Sequence, residues 1–243
     1  MAQTKGSLIV IEGLDGTGKT VQSRLMTQRL ERVFFGERRV EMIDFPRYDH
    51  PTSYCVQKYL RRNGASKGYR AELSQSWYAP SILYALDRMD AANSLDEEGG
   101  NLHDKLAAGG IIVSNRYTQS NIGYQGAKIE SEKMRKDFIL WLYRLEYEWL
   151  KVPRPDLVIF LDLPPVTARE AKLKQLAANG GQPDMLEADP LVFIRGRAAY
   201  LEAASLFPKE WRVIDCLMPD NSRRKTEEEV FEEILQAALS AIQ

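Results

Sequence analysis

The sequence contains few of the residues that build disulfide scaffolds or zinc sites. Two cysteines and two histidines occur in 243 residues. Cys55 and Cys216 lie far apart, outside any C-x-x-C or metal-binding spacing, which indicates reduced thiols in a cytoplasmic protein. His50 and His103 are too isolated to predict a zinc site. We therefore expect a cytoplasmic protein whose fold depends on neither disulfides nor zinc.

Excess charge and long apolar segments are also missing. Lysine and arginine number 33 against 34 acidic residues, so no net charge attracts nucleic acid or an anionic membrane. Residues 1–7 lack an apolar signal stretch, and no later run approaches the roughly 20 apolar residues of a membrane span. We expect neither nucleic acid nor a membrane as a partner. With 44% hydrophobic residues, the chain favours one domain over residues 1–243.

A phosphate-binding loop is the most informative feature that is present. Residues 13–20 complete the pattern G-x-x-x-x-G-K-S/T between an apolar run and the helical stretch 21–34. Glycines allow a tight turn whose backbone N–H groups face a phosphate at a helix N-terminus. We expect Lys19 to reach the β- and γ-phosphates of ATP and Thr20 to hold Mg²⁺; an ordinary glycine-rich turn is the alternative. The ATP-binding residues are predicted to be Gly13, Leu14, Asp15, Gly16, Thr17, Gly18, Lys19 and Thr20.

Five short β-branched and apolar runs predict buried parallel strands. They are residues 8–11, 40–43, 111–114, 157–161 and 211–214. Amphipathic stretches long enough to cross a sheet separate the runs, so we expect an α/β fold with a doubly wound five-stranded parallel sheet flanked by helices. In such sheets the site forms beyond the carboxyl ends of the strands. Those ends are residues 12–20, 44–48, 115–117 and 162–165.

Two other regions bear on an acceptor pocket. Residues 71–93 and 138–150 have helical periodicity and predict central helices around the pocket, with Pro80 kinking or restarting the first. Residues 177–190 combine Asn-Gly-Gly with two prolines and predict a loop between two helices. In a phosphate-transfer enzyme this loop would be a lid that excludes water, and a plain surface connection is the alternative.

Several segments, in order along the chain, resemble the thymidylate kinase family. The matching segments are Glu-Gly-Leu-Asp at 12–15, Phe-Pro-Arg at 45–47, Tyr-Ala-Leu-Asp-Arg at 84–88, Asn-Arg-Tyr at 115–117, Tyr-Gln-Gly at 124–126 and the fourth strand region at 155–163. Apart from the phosphate loop no short motif is specific alone, and the order and spacing together carry the resemblance.

The resemblance implies an activity, a fold and an assembly. The expected reaction transfers the γ-phosphoryl group of ATP to thymidine 5′-monophosphate, with Mg²⁺, giving ADP and thymidine 5′-diphosphate. The expected fold is that of phosphate-loop nucleoside-monophosphate kinases with a mobile lid, and the expected assembly is a homodimer packed through central helices. Because the acceptor phosphate oxygen is already anionic near neutral pH, catalysis needs alignment and charge neutralisation more than a strong base.

The resemblance also assigns roles to residues. Lys19, Asp15 and Arg116 are the expected catalytic residues, with Arg116 clamping the acceptor phosphate and Asp15 accepting from the deoxyribose 3′-hydroxyl. The other expected substrate contacts are Phe45 at the sugar, Arg47 near the phosphate, Tyr84 and Gln125 at the base, Arg88 at a thymine carbonyl and Tyr124 at the sugar 2′ position. The aromatic residues could instead belong to the core, and the arginines to structural ion pairs.

One departure from the family pattern concerns the metal. The family usually places an aspartate before the strand-end arginine, whereas this chain has Asn115, which brings no negative charge. Besides Thr20, we expect Glu12 or Asp162 to support Mg²⁺ through a water molecule.

A second departure concerns the arginine that the family places over the transferring phosphate. Gly16 and Thr17 occupy the loop position, and Met185 occupies the lid position. We expect the missing charge to come from Lys172, Lys174 or Arg195. Two alternatives to a thymidylate kinase stay open: a different nucleoside or nucleoside-monophosphate kinase, and a weakly active nucleotide-binding module.

Overall fold

Five parallel strands form one sheet in the computed structural model, which describes residues 5–60, 68–69, 71–94, 100–182, 186 and 189–242. The strands are β1 (Ser7–Gly13), β2 (Val40–Asp44), β3 (Ile111–Asn115), β4 (Leu157–Asp162) and β5 (Trp211–Asp215). Each contains one of the predicted apolar runs, so the prediction of five strands is confirmed. Their β-branched and aromatic content suits burial in a sheet with helices packed against it.

The sheet has the strand order β2-β3-β1-β4-β5, with all neighbours parallel. Ile11 of β1 pairs in register with Asn115 of β3 and with Ile159 of β4. Asp44 of β2 pairs with Asn115 on the other side of β3. The carboxyl ends of β1, β2 and β3 therefore meet at one edge of the sheet.

Helices connect the strands. They are α1 (Lys19–Val33), α2 (Tyr54–Leu60), α3 (Ala71–Gln75), α4 (Tyr78–Asn93), α5 (Leu102–Ala107), α6 (Thr118–Gly126), α7 (Glu132–Tyr143), α8 (Pro165–Ala178), α9 (Pro190–Leu206) and α10 (Glu227–Ala241). The chain passes from β1 to β2 in one direction across the sheet and from β3 to β4 in the other. Right-handed crossovers therefore place α1 on one face and α6 and α7 on the other, where α6 packs against α4, α7 and α9. The doubly wound fold is confirmed.

Local sequence explains where several helices begin. Pro80 lies in the first turn of α4, after a break that separates this helix from α3, as its fixed φ favours. Thr226 and Glu229 form a capping box at the start of α10. The helix predicted over 138–150 continues beyond α7 as a π-helix, Arg144–Trp149. Among the described residues, no helix combines the length and the apolar character that crossing a membrane requires.

Candidate active site

The phosphate loop connects β1 to α1 at the carboxyl edge of the central strand. Gly13 ends β1 and Lys19 begins α1. Gly16 and Gly18 have φ values of 88° and 98°, in the left-handed region that favours glycine. A Cβ built on Gly16 would also lie 2.1 Å from the carbonyl oxygen of Ala168 in α8. The shape of the loop therefore depends on glycine, and it suits the binding of a phosphate by backbone N–H groups.

Lys19 folds back onto this loop. Its Nζ donates to the carbonyl oxygen of Leu14 at 2.7 Å and lies 3.7 Å from Oδ1 of Asp15. Burial and the nearby charge of Arg116 lower the pKa of Lys19 to about 7, although Asp15 and Glu12 act to raise it. A phosphate group beside Nζ would favour the charged form. Lys19 is thus placed to gain charge when an anion binds.

Asp15, Arg116 and Tyr124 form a cluster where β1 and β3 end. One carboxylate oxygen of Asp15 accepts a hydrogen bond from Nη2 of Arg116, and the other accepts from the Tyr124 hydroxyl at 2.7 Å. Nη1 of Arg116 donates to the same hydroxyl at 3.0 Å. Arg116 has a φ of 69°, a conformation that concentrates at functional sites when it occurs outside glycine. The structure thus brings three of the predicted residues together.

The charge of this cluster is mainly positive. Burial would raise the pKa of Asp15, but Arg116, Lys19 and Lys172 together hold that pKa well below its usual value. The carboxylate is therefore ionised, and Arg116 and Lys172 exceed its single charge even where Lys19 is neutral. A preorganised surplus of positive charge suits a site that brings two phosphate groups together.

Glu12 lies near the end of β1, and groups of the protein itself bind its carboxylate. Its side chain is fully buried and accepts hydrogen bonds from the backbone N–H of Tyr117 at 2.8 Å and from the hydroxyls of Ser120 and Tyr200, both at 2.9 Å. Burial raises the pKa of Glu12, although Arg116 and the hydrogen bonds act to lower it. Glu12 connects β1 to α6 and α9, and its protein partners argue against contact with a metal.

Asp162, the other carboxylate predicted to support the metal, is also engaged. Its two oxygens accept from Nε and Nη2 of Arg197 at 2.6 and 2.8 Å. This bidentate pair fixes the end of β4 to α9. The prediction that Asp162 or Glu12 supports Mg²⁺ is therefore not favoured by the contacts of either residue.

A third carboxylate lies closer to Thr20. Nδ2 of Asn115 donates to Oγ1 of Thr20 at 3.2 Å and to Oδ1 of Asp44 at 2.5 Å. Asn115 is buried, and within the described chain its Oδ1 has no hydrogen-bond partner. Asp44 is absent from the predicted site residues, although its place at the end of β2 is the signal that could have identified it. Thr20, Asn115 and Asp44 form what we call the strand-end triad.

Arg88 of α4 is enclosed rather than open to a large cleft. Its Nε and Nη2 donate to the two carboxylate oxygens of Glu146, each at 2.6 Å. The Thr118 hydroxyl donates to the same carboxylate at 2.8 Å. Any contact between Arg88 and a base must therefore come from Nη1. Glu146 lies in the π-helix, 58 residues away in sequence, and no motif predicted its part in the site.

The aromatic residues predicted for the substrate divide into two groups. Tyr84 is half-buried and meets the ring of Tyr59 edge to face, with centroids 6.2 Å apart. Gln125 accepts from the Tyr59 hydroxyl at 3.5 Å, and its buried Nε2 has no partner in the described part of the chain. Phe45 instead packs in the main core against Tyr117, with centroids 5.5 Å apart. Tyr84 and Gln125 thus both lie beside Tyr59 in a smaller cluster. Phe45 lies in the main core, which is the alternative that the sequence allowed for the aromatic residues.

Arg47 forms structural ion pairs, which the sequence allowed as the alternative to a phosphate contact. Its Nε donates to Oδ1 of Asp87 at 3.0 Å, and its Nη2 donates to Oδ2 of Asp90 at 2.6 Å. The same Nη2 donates to the Thr52 hydroxyl at 3.0 Å. These contacts fix the segment after β2 against α4 and argue against a direct phosphate contact.

The cations predicted to replace the missing arginine lie on α8 and α9. Lys172 of α8 is close enough for its charge to lower the pKa values of Asp15 and Lys19. Arg195 instead pairs with Glu130, Nη2 to Oε1, at 2.8 Å. Lys174 follows Lys172 by two positions on α8. The lid predicted over 177–190 stays a prediction, because residues 183–185, 187 and 188, including Met185, lie outside the described ones.

Fold and site together define a class of protein. A parallel sheet whose central strand leads through a phosphate loop into a helix, with an arginine at the neighbouring strand end, is the architecture of phosphate-loop nucleotide kinases. Within that class, the family model for thymidylate kinase matches residues 11–230. The chain belongs to the thymidylate kinase family, and the resemblance found in the sequence is confirmed.

Curated relatives match over most of their length. The chain is 30% identical over 219 residues to a protein named probable thymidylate kinase from Thermococcus onnurineus, covering 86% of this chain and 89% of the relative. It is 29% identical over 211 residues to a thymidylate kinase from Mycobacterium tuberculosis, covering 85% and 90%. The similarity therefore covers most of this chain and most of each relative.

Solved structures show the same fold. A thymidylate kinase from Candida albicans superposes with a TM-score of 0.67 at 22% identity, covering 99% of this chain and 95% of that one. The enzyme from Ehrlichia chaffeensis gives a TM-score of 0.63 at 16% identity, covering 96% and 99%.

Proposed function

We propose that the chain transfers the γ-phosphoryl group of ATP to thymidine 5′-monophosphate, as family membership and the site both support. The reaction gives ADP and thymidine 5′-diphosphate, a step of nucleotide biosynthesis. One observation carries the proposal: Asp15 contacts both Lys19 of the phosphate loop, at 3.7 Å, and Arg116 of the β3 end. Phosphates bound to these two cations would meet around one residue.

The catalytic roles follow from the chemistry of phosphoryl transfer. The attacking acceptor oxygen is already anionic, so the chain must chiefly align two polyanions and offset their repulsion. Lys19 and the N–H groups of the loop hold the donor phosphates. Arg116, fixed in direction by Asp15 and Tyr124, holds the acceptor phosphate. Lys172 supplies the further positive charge that the phosphate loop lacks.

The acceptor pocket follows from the same cluster. Asp15 and Tyr124 lie next to Arg116, so they face the sugar that carries the bound phosphate. Gln125 and Tyr84 contact the base, Gln125 through the buried Nε2 that has no other described partner. Nη1 of Arg88 donates to a carbonyl of the base. Phe45 and Arg47 act through position, by fixing the segment that follows β2.

Mg²⁺ is the metal that fits this site. The hydroxyl of Thr20 and Oδ1 of Asn115 are oxygen donors, and the second is buried without a described partner. Hard divalent cations prefer such oxygens, and Mg²⁺ keeps several of its waters while it contacts substrate phosphates. When bound, the ion neutralises charge on the β- and γ-phosphates. Thr20 and Asn115 would hold it or its water shell.

A homodimer is the assembly that the exposed apolar side chains of α4 support. Tyr78, Ile82 and Leu86 recur at four-residue spacing, so they lie on one face, and each is about two-fifths exposed. Tyr78 also contacts the ring of Trp141 in α7, with centroids 4.7 Å apart. We call these three residues of α4 the apolar stripe and propose that a second copy of the chain covers it. For location we propose the cytoplasm, since Cys55 and Cys216 are free thiols.

A coupled assay of ADP release tests the proposed activity. The purified chain is given ATP with thymidine 5′-monophosphate, with each other nucleoside monophosphate and with thymidine, in the presence and absence of Mg²⁺. Thymidine 5′-monophosphate should give the highest kcat/KM, turnover should require Mg²⁺, and Lys19→Met should abolish it. Preference for another acceptor would indicate a different kinase. Nucleotide binding without turnover on any acceptor would indicate a binding module.

A further inference from the structure

The strand-end triad of Thr20, Asn115 and Asp44 contains a carboxylate that the sequence motifs did not assign. Asp44 and Asn115 are register partners at the carboxyl ends of β2 and β3. Neighbouring parallel strands end at the same edge of a sheet, so the two side chains meet beside the first turn of α1. Asp44 therefore brings negative charge to the place where the family usually has a single aspartate.

The hydrogen bonds of Asn115 determine how its amide is oriented. A carboxylate can only accept, so the amide nitrogen must face Asp44, and it does so at 2.5 Å. The same nitrogen donates to Thr20, which leaves Oδ1 directed elsewhere. This oxygen belongs to a side chain that is only 8% exposed, and it has no partner among the described residues. A buried carbonyl oxygen without a donor is suited to a cation or to a water molecule bound to one.

The other strand-end carboxylates are already engaged. Glu12 accepts from Tyr117, Ser120 and Tyr200, and Asp162 accepts twice from Arg197. Asp44 is exposed, and in the described chain the hydrogen bond from Asn115 is its one side-chain contact. Its second carboxylate oxygen is thus available to a metal-bound water, and among the described residues no cation forms an ion pair with Asp44.

We propose that Asp44 is the anionic residue of this chain's Mg²⁺ site, acting with Asn115 in place of the single aspartate of the family pattern. In this arrangement Asn115 and Thr20 offer neutral oxygens, and Asp44 offers the charge that stabilises the water shell. The inference rests on the proposed function, because it presumes a magnesium nucleotide at the loop. It assigns a residue of this chain to the metal, and it explains why Asn115 is compatible with activity.

An exchange of the two side chains tests the inference through binding rather than turnover. ADP is titrated by calorimetry, with and without Mg²⁺, into the wild type, Asp44→Asn, and the double variant Asp44→Asn with Asn115→Asp. Loss of an outer-shell partner typically lowers metal affinity by about 10- to 100-fold. We expect Asp44→Asn to reduce the tightening of ADP binding by Mg²⁺ to that extent and to leave Mg²⁺-free binding unchanged. The double variant should restore it.

A matched control comes from the same strand. Glu41→Gln removes one charge from β2. Glu41 lies apart from the triad and pairs with Lys105, Oε2 to Nζ, at 2.8 Å. This variant should keep the wild-type response to Mg²⁺. Thermal unfolding of each variant establishes that it is folded. An unchanged Mg²⁺ effect in Asp44→Asn, or no restoration in the double variant, overturns the inference alone. A wild type that binds ADP equally with and without Mg²⁺ overturns the proposed function and this inference together.

Discussion

Arg88 and Glu146 form a bidentate ion pair, with both contacts at 2.6 Å, from which solvent is almost entirely excluded: the side chains are 2% and 0% exposed. Two charges so far from water are stable only as a pair with further hydrogen bonds. Thr118 supplies one of these to Glu146 at 2.8 Å. The pair connects α4 to the π-helix after α7, so it also fixes the position of Arg88, which we propose to contact the acceptor base.

Removing the carboxylate should affect both stability and acceptor binding. Glu146→Ala leaves Arg88 buried without its partner, which typically costs about 3–5 kcal/mol. We expect the free energy of unfolding, measured in urea, to fall by that amount. Glu146→Gln retains one acceptor, so it should lose less stability and should raise the KM for thymidine 5′-monophosphate. The KM for ATP should change little. Glu148→Gln is the control, because Glu148 is 68% exposed and its loss should change stability by at most about 0.5 kcal/mol. If Glu146→Gln and Glu148→Gln changed stability and KM equally, the Glu146 carboxylate would not be what positions Arg88.

This pair shows where sequence reasoning stops. The five strands were predictable because each is a continuous apolar run, and the phosphate loop because its spacing is local. Glu146 was not predictable, since the contact joins residues 58 positions apart and one of them lies in a π-helix. The sequence predicts support for Mg²⁺ from Glu12 or Asp162, although Asp44 also lies at the end of a strand. Only the strand order β2-β3-β1 places Asp44 beside Asn115, and strand order is not a local property.

Arg116 should act on the acceptor rather than on ATP. Its two terminal nitrogens bind Asp15 and Tyr124, a forked geometry that lysine cannot reproduce. Charge-assisted hydrogen bonds contribute about 1.5–3 kcal/mol, so Arg116→Lys should raise the KM for thymidine 5′-monophosphate about 10- to 100-fold. Steady-state kinetics with each substrate varied in turn measures this. Arg144→Lys, at an exposed pair with Glu148, should leave both KM values unchanged. A greater effect of Arg116→Lys on ATP would place this residue on the donor side.

Nucleotide binding should take up a proton above neutral pH. Without ligand the pKa of Lys19 is about 7, so at pH 8 most of the side chain is neutral, and bound phosphates favour its charged form. Titrations at pH 8 in buffers of different ionisation enthalpy should show uptake of up to about nine-tenths of a proton per ADP. At pH 6 uptake should approach zero. In Lys19→Met the uptake at pH 8 should disappear, and its persistence would assign the proton to another group.

The same residue affects the stability of the ligand-free protein. Between pH 7 and the ordinary lysine value of 10.5, the unfolded chain binds a proton at Lys19 that the folded chain has released. Stability from this group therefore rises with pH across that interval. Urea unfolding at pH 7 and pH 9 should show a larger gain for the wild type than for Lys19→Met. An equal gain in both proteins would mean that Lys19 keeps an ordinary pKa in the fold.

Gly16 should tolerate no side chain, for a reason separate from its backbone conformation. A Cβ there would lie 2.1 Å from the carbonyl oxygen of Ala168, so Gly16→Ala must displace the loop or α8. Gly36 is a matched control, since its φ of 76° carries a similar penalty of about 1 kcal/mol for alanine. A Cβ built on Gly36 meets no atom of the described residues within 4 Å, its chain neighbours apart. We expect Gly36→Ala to retain ADP affinity and Gly16→Ala to lose at least about tenfold, measured by calorimetry. If Gly16→Ala lost no more ADP affinity than Gly36→Ala, α8 would be able to move away from the loop and make room for the added Cβ.

The apolar stripe on α4 should hold two copies of the chain together. An isologous interface presents Ile82 twice, so a charge at this position is buried in both copies. Ile82→Asp should raise the dimer Kd by at least about 30-fold, the effect of losing a hot spot of about 2 kcal/mol. Sedimentation velocity across a concentration series measures the Kd. Because Ile82 is 42% exposed in the single chain, the variant should remain folded, which circular dichroism checks.

Phe35→Asp changes a side chain that is 87% exposed beyond the end of α1, and it should leave the dimer intact. A wild type that sediments as a monomer at micromolar concentration, or an Ile82→Asp variant as dimeric as Phe35→Asp, would show that the stripe has another purpose.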